Sequence, residues 1–113
     1  MIFFNHKVSE SDDRCINFTA EDGSEIIGCC KLILKESYAD VVDVAFTDGN
    51  QYIVDGLIKA ALNFACNRSY YIARCSAADI DSVLDRMNFI KKDGYYENDI
   101  PSVLSGSCGG CCQ

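Results

Sequence analysis

The sequence predicts an α+β fold of the three-layer α/β type. It is one mixed sheet, an antiparallel meander followed by a βαβ unit, in the order β-β-β-α-β-α-β-β. Three observations predict it. The first 47 residues fall into short β-rich runs separated by turn signals. After Asp48-Gly49-Asn50 the apolar period changes from two to helical spacing. The chain's 113 residues suit one domain of roughly 100–150 residues.

Each element follows from its residues. Ile2 to Asn5 can stand as a first strand. Arg14 to Ala20 reads as a strand with Ile16 and Phe18 on one face, and Glu21-Asp22-Gly23-Ser24 is a hairpin turn signal. Glu25 to Lys35 is a long β-rich run, Glu36 to Asp40 turns the chain, and Val41 to Thr47 is another strand. From Gln51 a polar residue recurs every fourth position (Gln51, Asp55, Lys59, Asn63, Asn67) among apolar ones. That pattern is a helix covered around most of its circumference. Asp55 and Lys59 can pair at i,i+4, and Asn50 or Asp48 can cap the start. Tyr70 to Cys75 is a short strand. With strand 41–47 and the helix it makes a βαβ unit, expected to be parallel and right-handed. Ser76-Ala77-Ala78-Asp79 resembles a capping box and opens a helix carrying Ile80, Val83, Leu84 and Met87. Phe89 to Lys92 and Tyr95 to Ile100 flank Asp93-Gly94 as a closing hairpin, with Pro101 at its edge or after it. The domain is expected over residues 1–104, with 105–113 a Cys/Gly-rich tail.

Charge narrows the function classes. The net charge is −7, and residues 1–50 carry ten acids against four bases. No basic stripe exists for a nucleic-acid backbone or an anionic membrane, so neither partner is expected. No apolar run is long enough to span a bilayer. The start Met-Ile-Phe-Phe-Asn-His-Lys lacks the features of a signal peptide, which predicts a cytoplasmic protein with reduced thiols. Five of the eight cysteines lie in apolar runs. The other three, Cys108, Cys111 and Cys112, are the alternative metal or redox ligands. A single Cys-x-x-Cys supplies too few thiols for a structural zinc on its own, and a flexible exposed tail is the preferred reading.

Among carboxylates, Asp43 and Asp40 are the candidate general bases for an amine nucleophile. Either needs a pKa raised by burial to act near neutrality. His6, the lone histidine, falls near a terminus and supports no nucleophilic triad. Tyr95 and Tyr96 could serve as a general acid, and packing within the closing hairpin is the preferred reading.

The element order, with Val-Val-Asp-Val-Ala-Phe-Thr-Asp-Gly-Asn-Gln (41–51), Asp-Gly-Leu-Ile-Lys-Ala-Ala-Leu-Asn-Phe-Ala (55–65) and Leu-Asp-Arg-Met-Asn-Phe (84–89), resembles the GNAT acyltransferase superfamily over residues 14–100. The resemblance implies acetyl transfer from acetyl-CoA to an amine. It implies pantetheine contacts from the strand bearing Val44 and Phe46. It implies a diphosphate cradle at the strand–helix loop and helix start: Gln51, Tyr52, Ile53, Val54, Asp55 and Gly56. The family's glycines there fall on Val54 and Gly56 in one register and on Tyr52 and Val54 in the other. The family's general-acid tyrosine falls on Val83-Leu84-Asp85, and the two helices that usually wall the acceptor site are missing. The expected partners are therefore an acyl-CoA and an amine acceptor, with a homodimer left open. The alternatives are a GNAT-like binding or regulatory module without catalysis, or a thiol-rich metal or redox protein acting through its tail.

Overall fold

The computed structural model describes residues 2–46, 51–77 and 80–105. Seven strands form one sheet: β1 (Ile2–Val8), β2 (Cys15–Asp22), β3 (Glu25–Leu34), β4 (Ala39–Phe46), β5 (Ile72–Cys75), β6 (Ile90–Lys91) and β7 (Tyr96–Asp99). Three helices complete the described residues: α1 (Gln51–Asn67), α2 (Asp81–Arg86) and α3 (Ile100–Ser105). The sheet order is β1-β2-β3-β4-β5-β7-β6. β1 to β4 are an antiparallel meander, β4 and β5 are parallel, and β7 runs antiparallel to both of its neighbours.

The predicted hairpin turns hold. Gly23 and Gly94 take φ of +66° and +89°, conformations in which a Cβ is strained. The strand pattern explains the core. Ile16, Phe18 and Ala20 on β2, Cys30, Leu32 and Leu34 on β3, and Ala39 and Val41 on β4 are all buried on one face. Ile53, Leu57, Ile58, Ala61, Leu62 and Ala65 of α1 are buried in the same cluster, and α1 packs across β2, β3 and β4. Fully burying one such Leu contributes about 1.5–3 kcal/mol. Close approach depends on Gly28. A Cβ there would lie 2.6 Å from Ile53 Cγ2 and 3.2 Å from Leu57 Cδ1. Asp55 and Lys59 form the expected pair at 3.6 Å.

Both longer crossover segments end in the same way. Ser69 and Asn88 sit at φ of 71° and 68°. After α1, Tyr70 N–H donates to the Ala65 carbonyl; after α2, Phe89 N–H donates to Leu84, both at 3.0 Å. These are Schellman closures, and asparagine in the left-handed position replaces the usual glycine at Met87-Asn88-Phe89.

Several expectations are corrected. The first strand extends to Val8 and pairs with β2 along its whole length. The capping box at 76–79 does not open α2: the helix starts at Asp81, its N-cap is Ile80, and no side chain caps it. Ala78 and Asp79 lie outside the described residues. Of the two places expected for Pro101 the second holds: it lies after β7, in the first turn of an unexpected helix, α3. Asp99 caps that turn, accepting from Ser102 N–H at 3.0 Å and Ser102 Oγ at 2.9 Å. Proline fits there because a first-turn N–H has no intrahelical acceptor to lose. Cys15, Cys29, Cys30 and Cys75 are free thiols. Cys66, half-buried in the last turn of α1, is disulfide-bonded, against the expectation of reduced thiols. No helix among the described residues is long and apolar enough to cross a membrane.

Candidate functional site

β4 changes character along its length. On one side it pairs with β3 from Ala39 to Phe46. On the other it pairs with β5 only at Ala39, Asp40 and Val41, and Ser76 N–H closes that ladder on the Val41 carbonyl at 3.2 Å. β5 ends at Cys75. Among the described residues, Val42 to Phe46 therefore has no strand partner on the β5 side. The main-chain groups facing that gap form an open strand edge within the sheet.

The break coincides with a β-bulge. Lys31 pairs with Asp43 and Leu32 with Val41, which leaves Val42 as the extra residue. The bulge resets the alternation. Ala39 and Val41 face α1; beyond the bulge Val44 and Phe46 share that face, Val44 opposite the buried Cys30. Asp40, Asp43 and Ala45 all lie on the other face. In an unbroken strand, residues three apart would point to opposite sides, so the bulge is what brings both candidate acids to one surface.

Asp40 and Asp43 differ in surroundings. Asp40 is half-buried, and burial lifts its carboxyl above the ordinary value against the opposing pull of Lys35 and Arg74. Its Oδ1 is buried without a hydrogen-bond partner. The neighbouring Arg74 is committed elsewhere. Its Nε donates to Glu97 Oε2 at 2.7 Å, and its guanidinium lies 4.1 Å from the Tyr38 ring centre and 4.5 Å from that of Tyr95. Asp43 is exposed opposite Lys31. It lines a groove of about 330 Å³ with Asn17, Cys29, Lys31, Val44 and Ala45. A second depression of about 200 Å³, between Ile26 and Phe46, shares Cys29 and Ala45 with it. Both sit along β3 and β4.

The residues predicted for the diphosphate cradle follow one another in the first turns of α1, and their side chains point in different directions. Ile53 and Val54 are turned into the core, 1% and 0% exposed. Tyr52 projects outward, 83% exposed, and so does not fill the gap beside β4. Asp55 and Gly56 are half-buried. The Phe4 ring of β1 lies over Gly56 in the space a Cβ would need, so this glycine serves packing rather than close approach of a ligand. What α1 offers at its start is main-chain N–H and the positive end of its dipole. Thr47 to Asn50, and the tail cysteines Cys108, Cys111 and Cys112, lie outside the described residues. Among the described residues no group of three or more metal-ligating side chains occurs.

The remaining candidates are structural. His6 packs 5.6 Å from Phe18 and 5.1 Å from Phe64, ring centre to ring centre. Tyr96 is buried and donates from its hydroxyl to Asp81 at 3.2 Å, tying β7 to α2. Burial pushes the Cys30 thiol up to about 12 and the Cys75 thiol up to about 11, so neither is a nucleophile near neutral pH. Sequence reasoning missed the clamp around Arg74 and the bulge at Val42. The three-residue spacing of Asp40 and Asp43 was a usable signal for the bulge only if both acids were required on one face.

No family model and no curated protein matches the sequence. Solved structures do match in shape. A GNAT-family protein from Desulfovibrio desulfuricans aligns with a TM-score of 0.75 at 9% identity, covering 88% of this chain and 99% of that one. YhhK from Escherichia coli, solved bound to coenzyme A, aligns at 0.67 and 12% identity over 88% and 98%. A GNAT family acetyltransferase from Elizabethkingia anophelis with acetyl-CoA bound aligns at 0.67 and 17% identity over 81% and 78%. With its bulged β4, parallel β5 and crossover helix, the chain has the fold of the GNAT N-acetyltransferases.

Proposed function

We propose that this chain transfers an acetyl group from acetyl-CoA to an amine. The observation that carries the reading is the open edge of β4 beyond Val41. The pantetheine arm is a chain of amides, and an unpaired strand edge binds such a chain by main-chain hydrogen bonds. The stretch Val42–Phe46, with Val44 and Phe46 flanking the gap, would hold that arm. The start of α1, from Gln51 onward, would receive the diphosphate through its dipole and amides. Bound there, acetyl-CoA supplies an activated thioester. A main-chain N–H of β4 aimed at the thioester oxygen stabilises the charge that develops on it.

Asp40 takes the proton of the acceptor. A carboxyl raised by burial is a stronger base than an ordinary one, and its buried Oδ1 has no hydrogen-bond partner to compete for the proton. Holding amine and thioester together supplies most of the remaining rate enhancement. The leaving thiolate draws its proton from water, since Val83 and Leu84 are buried where the family places a tyrosine. The exposed Asp43 and the excess of acids favour a cationic acceptor. Turnover is measured as thiol release across a panel of amines, and binding by calorimetry with acetyl-CoA and desulfo-CoA. Both ligands are expected to bind, with thiol release lost in Asp40→Asn. No heat at millimolar ligand would overturn the reading.

One observation favours a second reading. The Phe4 ring over Gly56, with Ile53 and Val54 turned inward, reduces the room for a diphosphate. A binding module without turnover would take up CoA in the same calorimetry and release no thiol with any amine.

A further inference from the structure

The two edges of the sheet are unlike. One is β6, two residues long and ending in Lys91, short and charged as protected edges are. The other is β1, seven residues without proline, glycine, bulge or carboxylate in a chain of net charge −7. It is exposed from Ile2 to Lys7, with Ile2, Phe3 and Phe4 at 40%, 56% and 41%.

The hydrogen-bond phase of β1 shows which groups remain on its outer side. Ser9 N–H donates at 2.9 Å to the carbonyl of Cys15, the residue directly opposite it in the register of the β1–β2 pair. Odd-numbered residues therefore turn their main-chain groups toward β2. Ile2, Phe4, His6 and Val8 turn theirs outward.

We infer that β1 is the interface of a homodimer, pairing antiparallel with β1 of a second copy about a two-fold axis at Asn5. In that register Ile2 faces Val8 and Phe4 faces His6, every one of them a residue with outward N–H and C=O, and about eight hydrogen bonds form. The strand is self-complementary across the same axis. Ile2 meets Val8, the Phe4 ring meets the His6 ring, Phe3 meets the Lys7 ammonium as a cation–π pair, and Asn5 meets Asn5 as two amides, each also donating to Glu21 Oε2 of its own copy at 2.9 Å. Phe3, Asn5 and Lys7 fall on non-hydrogen-bonded pairs, where opposing side chains approach most closely. A shift of two residues in either direction leaves strand residues unmatched and breaks these pairings. No carboxylate opposes another along the strand, so two strongly acidic chains can approach here. This inference is independent of acetyl transfer.

The test uses the full chain. Sedimentation velocity is expected to show a dimer at tens of micromolar. Phe3→Lys, an exposed position that opposes Lys7 of the other copy, should weaken dimerisation about tenfold or more while circular dichroism stays unchanged. In Asn5→Cys the two introduced thiols stand on the axis, about 4.5 Å apart at Cα. They should form an intermolecular disulfide on mild oxidation, identified by peptide mapping, whereas Lys7→Cys should not. A monomer up to millimolar concentration would overturn the inference. So would a dimer indifferent to Phe3→Lys, or one without the cross-link at position 5.

Discussion

The two halves of β4 make the most instructive comparison in the molecule. From Ala39 to Val41 the strand is zipped on both sides, its alternate side chains sealed under α1. From Val42 to Phe46 it is zipped on one side only. The same run of β-formers is scaffold in the first half and an open edge in the second. One inserted residue, Val42, marks the change. The bulge also puts Asp40, just before it, and Asp43, just after it, on the same exposed face. Burial then distinguishes the two acids: Asp40 is held above its ordinary pKa with an unpartnered oxygen, and Asp43 stands in solvent.

Val41→Asp breaks this comparison most severely. It sets an unpaired carboxylate on the fully buried face of the zipped half and should cost on the order of 4 kcal/mol, read as a lower denaturant midpoint. The same change at the half-buried Val42 should cost far less.

Asp40→Asn is the next largest effect. Acyl transfer should fall about 10²–10⁴-fold with acetyl-CoA affinity unchanged, as thiol-release kinetics and calorimetry would show together. The stability effect has the opposite sign. Because burial raises the Asp40 pKa, its contribution is fully present below the unfolded-state value and is lost as pH rises through the folded value. The asparagine variant should therefore show a flatter dependence of Tm on pH across the acidic range. At neutral pH it should be at least as stable as the parent.

Gly28→Val tests the zipped half. Its Cβ would meet Ile53 Cγ2 at 2.6 Å, so α1 must lift or repack, at about 1–3 kcal/mol in chemical denaturation. The smallest effect belongs to Asp43→Asn. That exposed acid only biases the approach of a cationic acceptor, so KM should rise about twofold or threefold at low salt, kcat should hold, and added salt should remove the difference.

Much of this layout was legible because it is periodic. The hairpin at Asp22-Gly23, the polar stripe from Asp55 to Asn63 and the parallel crossover each follow from local chemistry repeated over many residues. The bulge was not legible. In Val41-Val42-Asp43-Val44 the apolar residues satisfy either phase of a strand, so nothing local marks the extra one. Helix α3 was hidden because Pro101 was read as an ending, while the Asp99 cap two residues before it signals a start. The clamp on Arg74 draws Tyr38, Tyr95 and Glu97 from separate parts of the chain, and only the sheet order brings them together. The contact over Gly56 was hidden for a related reason: the residue that fills that space lies on β1, more than fifty positions away.

The open edge of β4 is tested most directly by amide hydrogen exchange with and without CoA. Main-chain amides within Val42–Phe46 that face the gap should gain protection on ligand addition, while Ala39 and Val41, already paired on both sides, should change little. Saturating ligand that leaves every amide of Val42–Phe46 unchanged would contradict a cofactor site on this strand.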